Sequence, residues 1–294
     1  MIHVLSFGDR IETGDYAVQS RFPSAVNFTD GRRLVSVVSP HVGGGPINIV
    51  AEGLDWARAE RLRVQADAFR LDGETLPKRP VFDSALPPGR IAADRLRDCR
   101  RLLLRKAHAK SLAFLLDERR CRSFSSNFEK ALVRRFQDAA RELRRAELEA
   151  GARLARGAGF GLTPSGDDLL SGYLWGLHCG ARLGGGDCAA DIEKVYGAAK
   201  NANPLSAAFL LCARNGRFFE RLRDLLGALA RADAARLEGR LEALLAVGAT
   251  SGADTCVGLM LALERHMAVD SSCEDGQCPR AQARQEDRLW SSKV

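Results

Sequence analysis

Aromatic residues make up only 6% of this sequence, histidine is confined to five positions, and no cysteine meets another in a C-x-x-C spacing. Each scarcity removes a class of function. His3, His41, His108, His178 and His266 show neither H-x-x-x-H nor H-E-x-x-H spacing, so a zinc site is not expected. The longest apolar runs, such as "CVGLMLAL" and "AAFLLCA", fall far short of the ~18 residues that a membrane span requires. The opening "MIHVLSFGDRIETGD" has no basic segment leading into an apolar stretch, so no export signal is expected. With eight cysteines scattered through helical-looking sequence, the expectation is reduced thiols in the cytoplasm and no membrane partner.

What the chain does have is length and charge. Its 294 residues suffice for one large domain or two ordinary ones, and 46% hydrophobic with 28% charged residues is the balance of a soluble globular protein. A net charge of +7 raises the question of nucleic acid. The basic residues, however, are mostly arginines interleaved with acids, as in "ARELRRAELEAGARLAR", which reads as solvated helix faces with ion pairs. No aromatic-rich strand or recognition motif accompanies them, so no nucleic-acid partner is expected.

Residues 1–90 read as β. "GDYAVQSRF", "GRRLVSVVS", "GPINIVAEG" and "RLRVQADAFRL" are short, mixed or alternating, and separated by glycine, proline and aspartate turns. "SPHVGGGP" joins two of these strands through Gly43, Gly44 and Gly45, and "ALPPGR" at 85–90 reads as a linker. From Ile91 the period becomes helical. "RLRDCRRLLLRKAHAKSLAFLL" and "FEKALVRRFQDAARELRRAELEAGARLAR" carry apolar residues at three- and four-residue spacing, the second predicting a long helix that stops at "GAGFG". Further helices are predicted from near Asp167, over 191–202, 204–216, 217–232 and 234–249, and from "TSGADTCVGLMLALERH". The fold class is α+β: a small amino-terminal β module, barrel- or sandwich-like, at 1–90, then a larger all-helical domain at 91–268. The polar tail at 269–294 is expected to be disordered.

One stretch, "GFGLTPSGDDLLSG" at 159–172, combines glycines, hydroxyls and paired carboxylates before an apolar run, and a second stretch echoes it. "SGDDLLSG" at 165–172 and "SGADTCVG" at 251–258 share S-G-x-D-x-x-x-G, and a threonine, Thr163 or Thr250, precedes each. A helix N-terminus presents unpaired N–H groups and a partial positive charge, and glycine there lets a ligand approach the backbone. On this reading Gly161, Gly166 and Gly252 with Thr163, Ser165, Thr250 and Ser251 suit a small anionic substrate. Asp168 and Asp254, with the extra Asp167, are the candidate catalytic carboxylates, and Gly172 and Gly258 predict a close helix crossing that brings both N-termini to one site. The carboxylates could instead hold a divalent cation such as Mg²⁺ or bind N–H donors of the substrate. Alternatively each S-x-x-D is a capping box, which explains the serine and aspartate but not the glycines.

These motifs, together with "PLSAAFLLCARNGRFFERLRDLL" and "RLVSVVSPHVGGGPINIV", resemble the AllH family over most of residues 30–265, in the right order. The resemblance implies a subunit of oxamate carbamoyltransferase in purine (allantoin) breakdown. It implies transfer between carbamoyl phosphate and oxamate, giving oxalurate and phosphate, or to a related small acceptor, with companion protein subunits. It carries over the motif positions Gly161, Thr163, Pro164, Ser165, Gly166, Asp167, Asp168, Ser251, Gly252 and Asp254, without assigning them roles. One departure is the all-glycine turn, where relatives are expected to carry a polar residue at the position of Gly44; a side-chain role there is correspondingly weakened.

Gly44 and Gly45 are retained as substrate-binding candidates because a glycine run can form a phosphate nest. His41 beside them, and Arg214 and Arg217 flanking "NG", are weaker candidates for contact with an anion. Cys256, near a helix start, reads as an inert buried thiol, and His178 and Cys179 as packing. No cofactor is evident, and no nucleophile–base pair stands out. The rival function is a non-catalytic subunit that binds a phosphorylated metabolite and organises partner chains.

Overall fold

The computed structural model describes residues 2–184, 187–231 and 234–274. The chain is α+β, as the sequence predicts, with one curled sheet followed by helices. The strands are β1 His3–Gly8, β2 Gly14–Phe22, β3 Ala25–Thr29, β4 Leu34–Val38, β5 Asn48–Glu52, β6 Arg61–Val64, β7 Ala68–Leu71, β8 Glu74–Pro77 and β9 Val81–Phe82. Their order across the sheet is β8-β7-β6-β2-β3-β4-β5-β1-β9. "RLRVQADAFRL" is thus two strands, paired antiparallel as a hairpin.

The sheet curls into a half-barrel. β1 and β7 lie near its opposite edges, yet Phe7 and Phe69 meet with ring centroids 5.5 Å apart. Tyr16, Val26, Phe28, Val37, Ile49 and Leu62 join them in a core separate from that of the helices. Alternation along the strands sends Asn27, Ser36 and Asn48 to the other face. β4 and β5 are parallel neighbours joined only by residues 39–47, whereas such crossovers usually take a dozen residues or more. The short glycine turn therefore runs close over the sheet: a Cβ on Gly8 would lie 2.3 Å from the Pro46 carbonyl oxygen.

The helices are α1 Ala93–Lys106, α2 Asn127–Arg144, α3 Leu148–Ala155, α4 Ser165–Gly184, α5 Ala189–Ala199, α6 Pro204–Arg214, α7 Glu220–Leu229, α8 Ala234–Leu245 and α9 Ser251–Glu274. One sequence expectation fails here. The long helix over 128–156 breaks into α2 and α3, with Ala146 in the left-handed region at φ 68. Gly151 lets α3 fold back on α2, because a Cβ there would sit 2.8 Å from Leu143 Cγ. The apolar period continues through the break and hides it. α9 runs to Glu274, past the boundary drawn at Ala268, and the rest of the expected disordered tail lies outside the described residues.

α4 and α9 form the centre of the helical region. Leu169, Leu170, Tyr173 and Leu177 of α4 and Val257, Leu259, Met260 and Leu263 of α9 are all fully buried. Helices apolar on all sides belong in the middle of a bundle. The two approach backbone to backbone: a Cβ on Gly172 would lie 1.9 Å from Thr255 O, and one on Gly258 1.9 Å from Leu169 O. Outside, arginine–acid pairs such as Arg153–Glu149 and Arg141–Asp138 decorate exposed helix faces.

Candidate functional site

The crossing at Gly172 and Gly258 brings the starts of α4 and α9 together, and the Thr163 and Ser251 hydroxyl oxygens are 3.4 Å apart. The glycines at the helix starts have a different use from the one the sequence suggests. A Cβ on Gly166 would be 1.8 Å from Ala155 O, and one on Gly252 1.9 Å from Leu244 O. The Gly166 N–H donates to Ala158 O at 2.8 Å and the Gly252 N–H to Val247 O at 3.0 Å. Both are small because the preceding helix ends against them, and their N–H groups are already engaged. The expectation that these two amides cradle an anion is therefore corrected.

The capping-box alternative fails as well. Each serine lies against the aspartate of the other helix, Ser251 against Asp168 and Ser165 against Asp254. Thr163 Oγ1 donates to Asp168 Oδ2 at 3.1 Å. On the other side, Asp254 Oδ1 accepts from the Leu112 N–H at 2.6 Å, and Ser165 and Thr250 are further neighbours of the carboxyl. Burial pushes the Asp168 carboxyl up to about 8, with Asp254 adding to the rise and the hydroxyls of Ser251 and Thr163 opposing it. Burial likewise pushes Asp254 up to about 7 against the Leu112 N–H and the two hydroxyls. Burial thus favours the uncharged form of Asp168. Asp167 faces elsewhere, its Oδ1 accepting from the Gly157 N–H at 2.8 Å.

Asp168 opens on a cavity of about 530 Å³ between the sheet and the helices. Gly44, Gly161, Thr163, Asp168, Thr250, Ser251 and Gly252 line it; Gly45, Ser165, Gly166, Asp167 and Asp254 are not among its lining residues. The two carboxylates of the repeat are neighbours, but only Asp168 lines the cavity, Asp254 being turned to the Leu112 turn. The single site shared by both aspartates is corrected to a one-sided one.

Opposite stands a polar row that sequence reading missed. Ser20 pairs with Asn27, Asn27 with Ser36, and Ser36 with Asn48 across four adjacent strands. Ser36 Oγ donates to Asn27 Oδ1 at 2.7 Å, and Asn27 Nδ2 donates to Ser20 Oγ at 3.0 Å. Asn27, Ser36 and Asn48 are buried and line the cavity. The signal was present as a polar residue set beside apolar ones in short strands, Asn27 in "AVNFT", Ser36 in "LVSVV" and Asn48 in "NIVAE". The glycine turn is occupied from within: the Gly44 N–H donates to the Glu220 carboxylate, and a Cβ on Gly45 would lie 2.4 Å from the Phe219 ring. The phosphate-nest expectation for these two residues is corrected, since a protein carboxylate already takes that place.

Residues 156–263 match the family model of the oxamate carbamoyltransferase subunit AllH. The match begins just before "GFGLTPSGDD", spans α4 to most of α9, and so contains both S-G-x-D motifs and the cavity's helical wall. The AllH match covers the helical motifs of the resemblance, but neither the sheet nor α1 to α3. No curated protein and no solved structure matches the chain.

Within residues 156–263 the remaining candidates have structural partners. Arg214 pairs with Glu193 at 2.8 Å, and Arg217 with Asp9 at 3.7 Å. His178 Nε2 lies 2.9 Å from Arg214 O. Contact with Cys99 and burial raise the Cys256 thiol well above its ordinary range, as befits an inert thiol. Asn203 caps α6 and also holds the motif loop, donating to Leu162 O at 2.8 Å. Outside the region, the His41 ring contacts Ser39 Oγ at 2.7 Å. Among the described residues, no three His, Cys, Asp or Glu side chains are grouped to hold a metal, and no helix is long and apolar enough to cross a membrane.

Proposed function

We propose that this chain is a carbamoyltransferase-type subunit, working with companion subunits on carbamoyl phosphate and oxamate, or a related small acceptor, in purine breakdown. The observation that carries the reading is the buried Asp168, held by Thr163 and Ser251 at the wall of a cavity whose helical side lies within the residues that match the AllH model. In the reaction the acceptor's amide nitrogen adds to the carbamoyl carbon. The bond from that carbon to the phosphate oxygen breaks, the proton lost by the nitrogen ends on the departing phosphate, and oxalurate and phosphate result. Charge builds on the carbamoyl oxygen on the way, and a buried donor aimed at such an oxygen is an effective catalyst. A carboxylic acid kept neutral by burial can be that donor, in the manner of other enzymes that hold an acid protonated at neutral pH. The role of Asp168 is then donation to an oxygen, not coordination of a cation.

The test is phosphate release from carbamoyl phosphate plus oxamate by the complete complex. Asp168→Ala should lower kcat/KM about 100-fold or more, the loss typical of one such donor, while Asp168→Asn, which keeps an N–H donor, should lose less. Near-wild-type turnover of a folded Asp168→Ala subunit would remove the assignment. The rival, a subunit that only binds a phosphorylated metabolite, predicts instead that Asp168→Ala leaves the turnover of the complete complex unchanged.

A further inference from the structure

The cavity is larger and less polar than carbamoyl transfer to oxamate requires. At about 530 Å³ it falls within the roughly 300–1,000 Å³ range of pockets that enclose drug-sized ligands, whereas oxamate and carbamoyl phosphate are both small, strongly polar molecules. One wall is aromatic: Trp175 and Phe219 meet at 6.1 Å and 80°, and Phe209 and Phe219 at 5.0 Å and 87°. Phe22 and Val38 extend the apolar surface on the sheet side. Water gains little in such a space, which a ligand of matching chemistry would fill.

The mouth shows the same excess. Seven large hydrophobic side chains are exposed among the described residues, and four of them, Val42, Phe160, Leu162 and Val247, line this cavity. Phe160 is 67% and Leu162 59% exposed, on the loop that ends at Thr163. Apolar groups gathered around a single opening mark a surface meant to be covered. The polar groups of the lining include Arg221, with N–H donors beyond the two it uses, the Asn27–Ser36–Asn48 row, Asp168 with its hydroxyls, Ser171, Thr250 and Thr255, and Glu220, which the Gly44 N–H engages.

We propose that the cavity takes an amide-bearing monocarboxylate that carries a flat apolar body, so that the preferred acceptor is larger than oxamate. The carboxylate would meet Arg221, the amide the buried polar groups, and the apolar body the wall of Trp175, Phe209 and Phe219, with Phe160 and Leu162 against its outer side. The amide-carboxylate half rests on the function proposed above, and the apolar half rests on the cavity alone.

The experiment is calorimetric titration of the full chain with oxamate and with N-phenyloxamate. The phenyl group should tighten binding about tenfold or more through the apolar area it buries. Phe160→Ala changes an exposed side chain and so spares the fold; it should remove at least about threefold of that gain, by the same burial of area, while leaving oxamate affinity within about twofold. Equal affinity for the two compounds, weaker binding of N-phenyloxamate, no binding of either, or a phenyl gain untouched in Phe160→Ala would overturn the proposal. Failure is distinguishable from failure of the functional reading. A complete complex that carbamoylates oxamate while its subunit ignores the phenyl group keeps the function and loses this inference. A complex inactive on oxamate whose subunit prefers N-phenyloxamate does the reverse.

Discussion

A buried carboxyl can be kept charged by close cations or left neutral, and the choice sets how it responds to pH. Asp168 and Asp254 have hydroxyl and amide neighbours and no cation among the causes acting on them, so burial dominates both. Their folded values, about 8 and about 7, stand above the ordinary 3.8. For such groups the stabilisation is fully present below the unfolded value and is lost as pH rises through the folded ones, because the unfolded chain releases protons the folded chain retains. Urea denaturation should therefore show stability falling between pH values of about 4 and about 8. Asp168→Asn, which cannot ionise, should make that fall shallower and leave the variant more stable than wild type at the alkaline end. A fall of unchanged depth would mean that Asp168 is ionised in the native protein. In the complete complex the same ionisation predicts that kcat/KM declines above a pH of about 8 in wild type and stays flat in Asp168→Asn.

At the scale of the elements, the α4–α9 crossing decides what the motif can do. Gly172 and Gly258 each sit where a methyl group would enter the partner's backbone. Gly172→Ala or Gly258→Ala should cost roughly 3 kcal/mol, since the helices must separate and alanine's better helix propensity offsets only about 1 kcal/mol. Gly227→Ala in α7 is the counter-case: nothing lies within 4 Å of its Cβ, so the propensity gain of up to about 1 kcal/mol should survive. Thermal or urea unfolding of the three variants checks the contrast, and equal effects at Gly172 and Gly227 would defeat it. This crossing was legible in the sequence because two copies of S-G-x-D-x-x-x-G share a glycine at the same offset. The α2–α3 break was not, because a chain that folds back on itself can keep its apolar period in both arms.

At the scale of the whole molecule, the cavity lies between a sheet and helices that are tied to each other through side-chain and backbone contacts. Ser84 and Arg217 both contact Asp9, the Phe218 N–H donates to Ser84 O, and Arg221 reaches His41 O. The Glu220 carboxylate on the Gly44 N–H belongs to the same seam, and hydrogen bonds to a charged acceptor are among the stronger ones. Glu220→Ala should speed amide exchange of Gly44 about tenfold or more through local opening, while amides in the centres of α4 and α9 keep their protection. Unchanged exchange at Gly44 would show that Phe219 packing alone holds the turn.

What the sequence determined by itself is whatever follows from neighbours along the chain. Alternation and turn residues specified a β module before Ile91, the three- and four-residue period specified helices after it, and the repeated motif marked where two helices begin and cross. What only the tertiary structure decided is which partner each polar group meets. Asp168 and Asp254 occupy the same column of the repeat, yet one lines a cavity and the other binds the Leu112 amide. Gly44 offered a nest that Glu220 fills from 176 residues away along the chain. Asn27, Ser36 and Asn48 became one row only through strand register. Local propensity acts over a few residues, whereas burial, hydrogen-bond partners and cavity shape depend on groups brought together from distant parts of the chain.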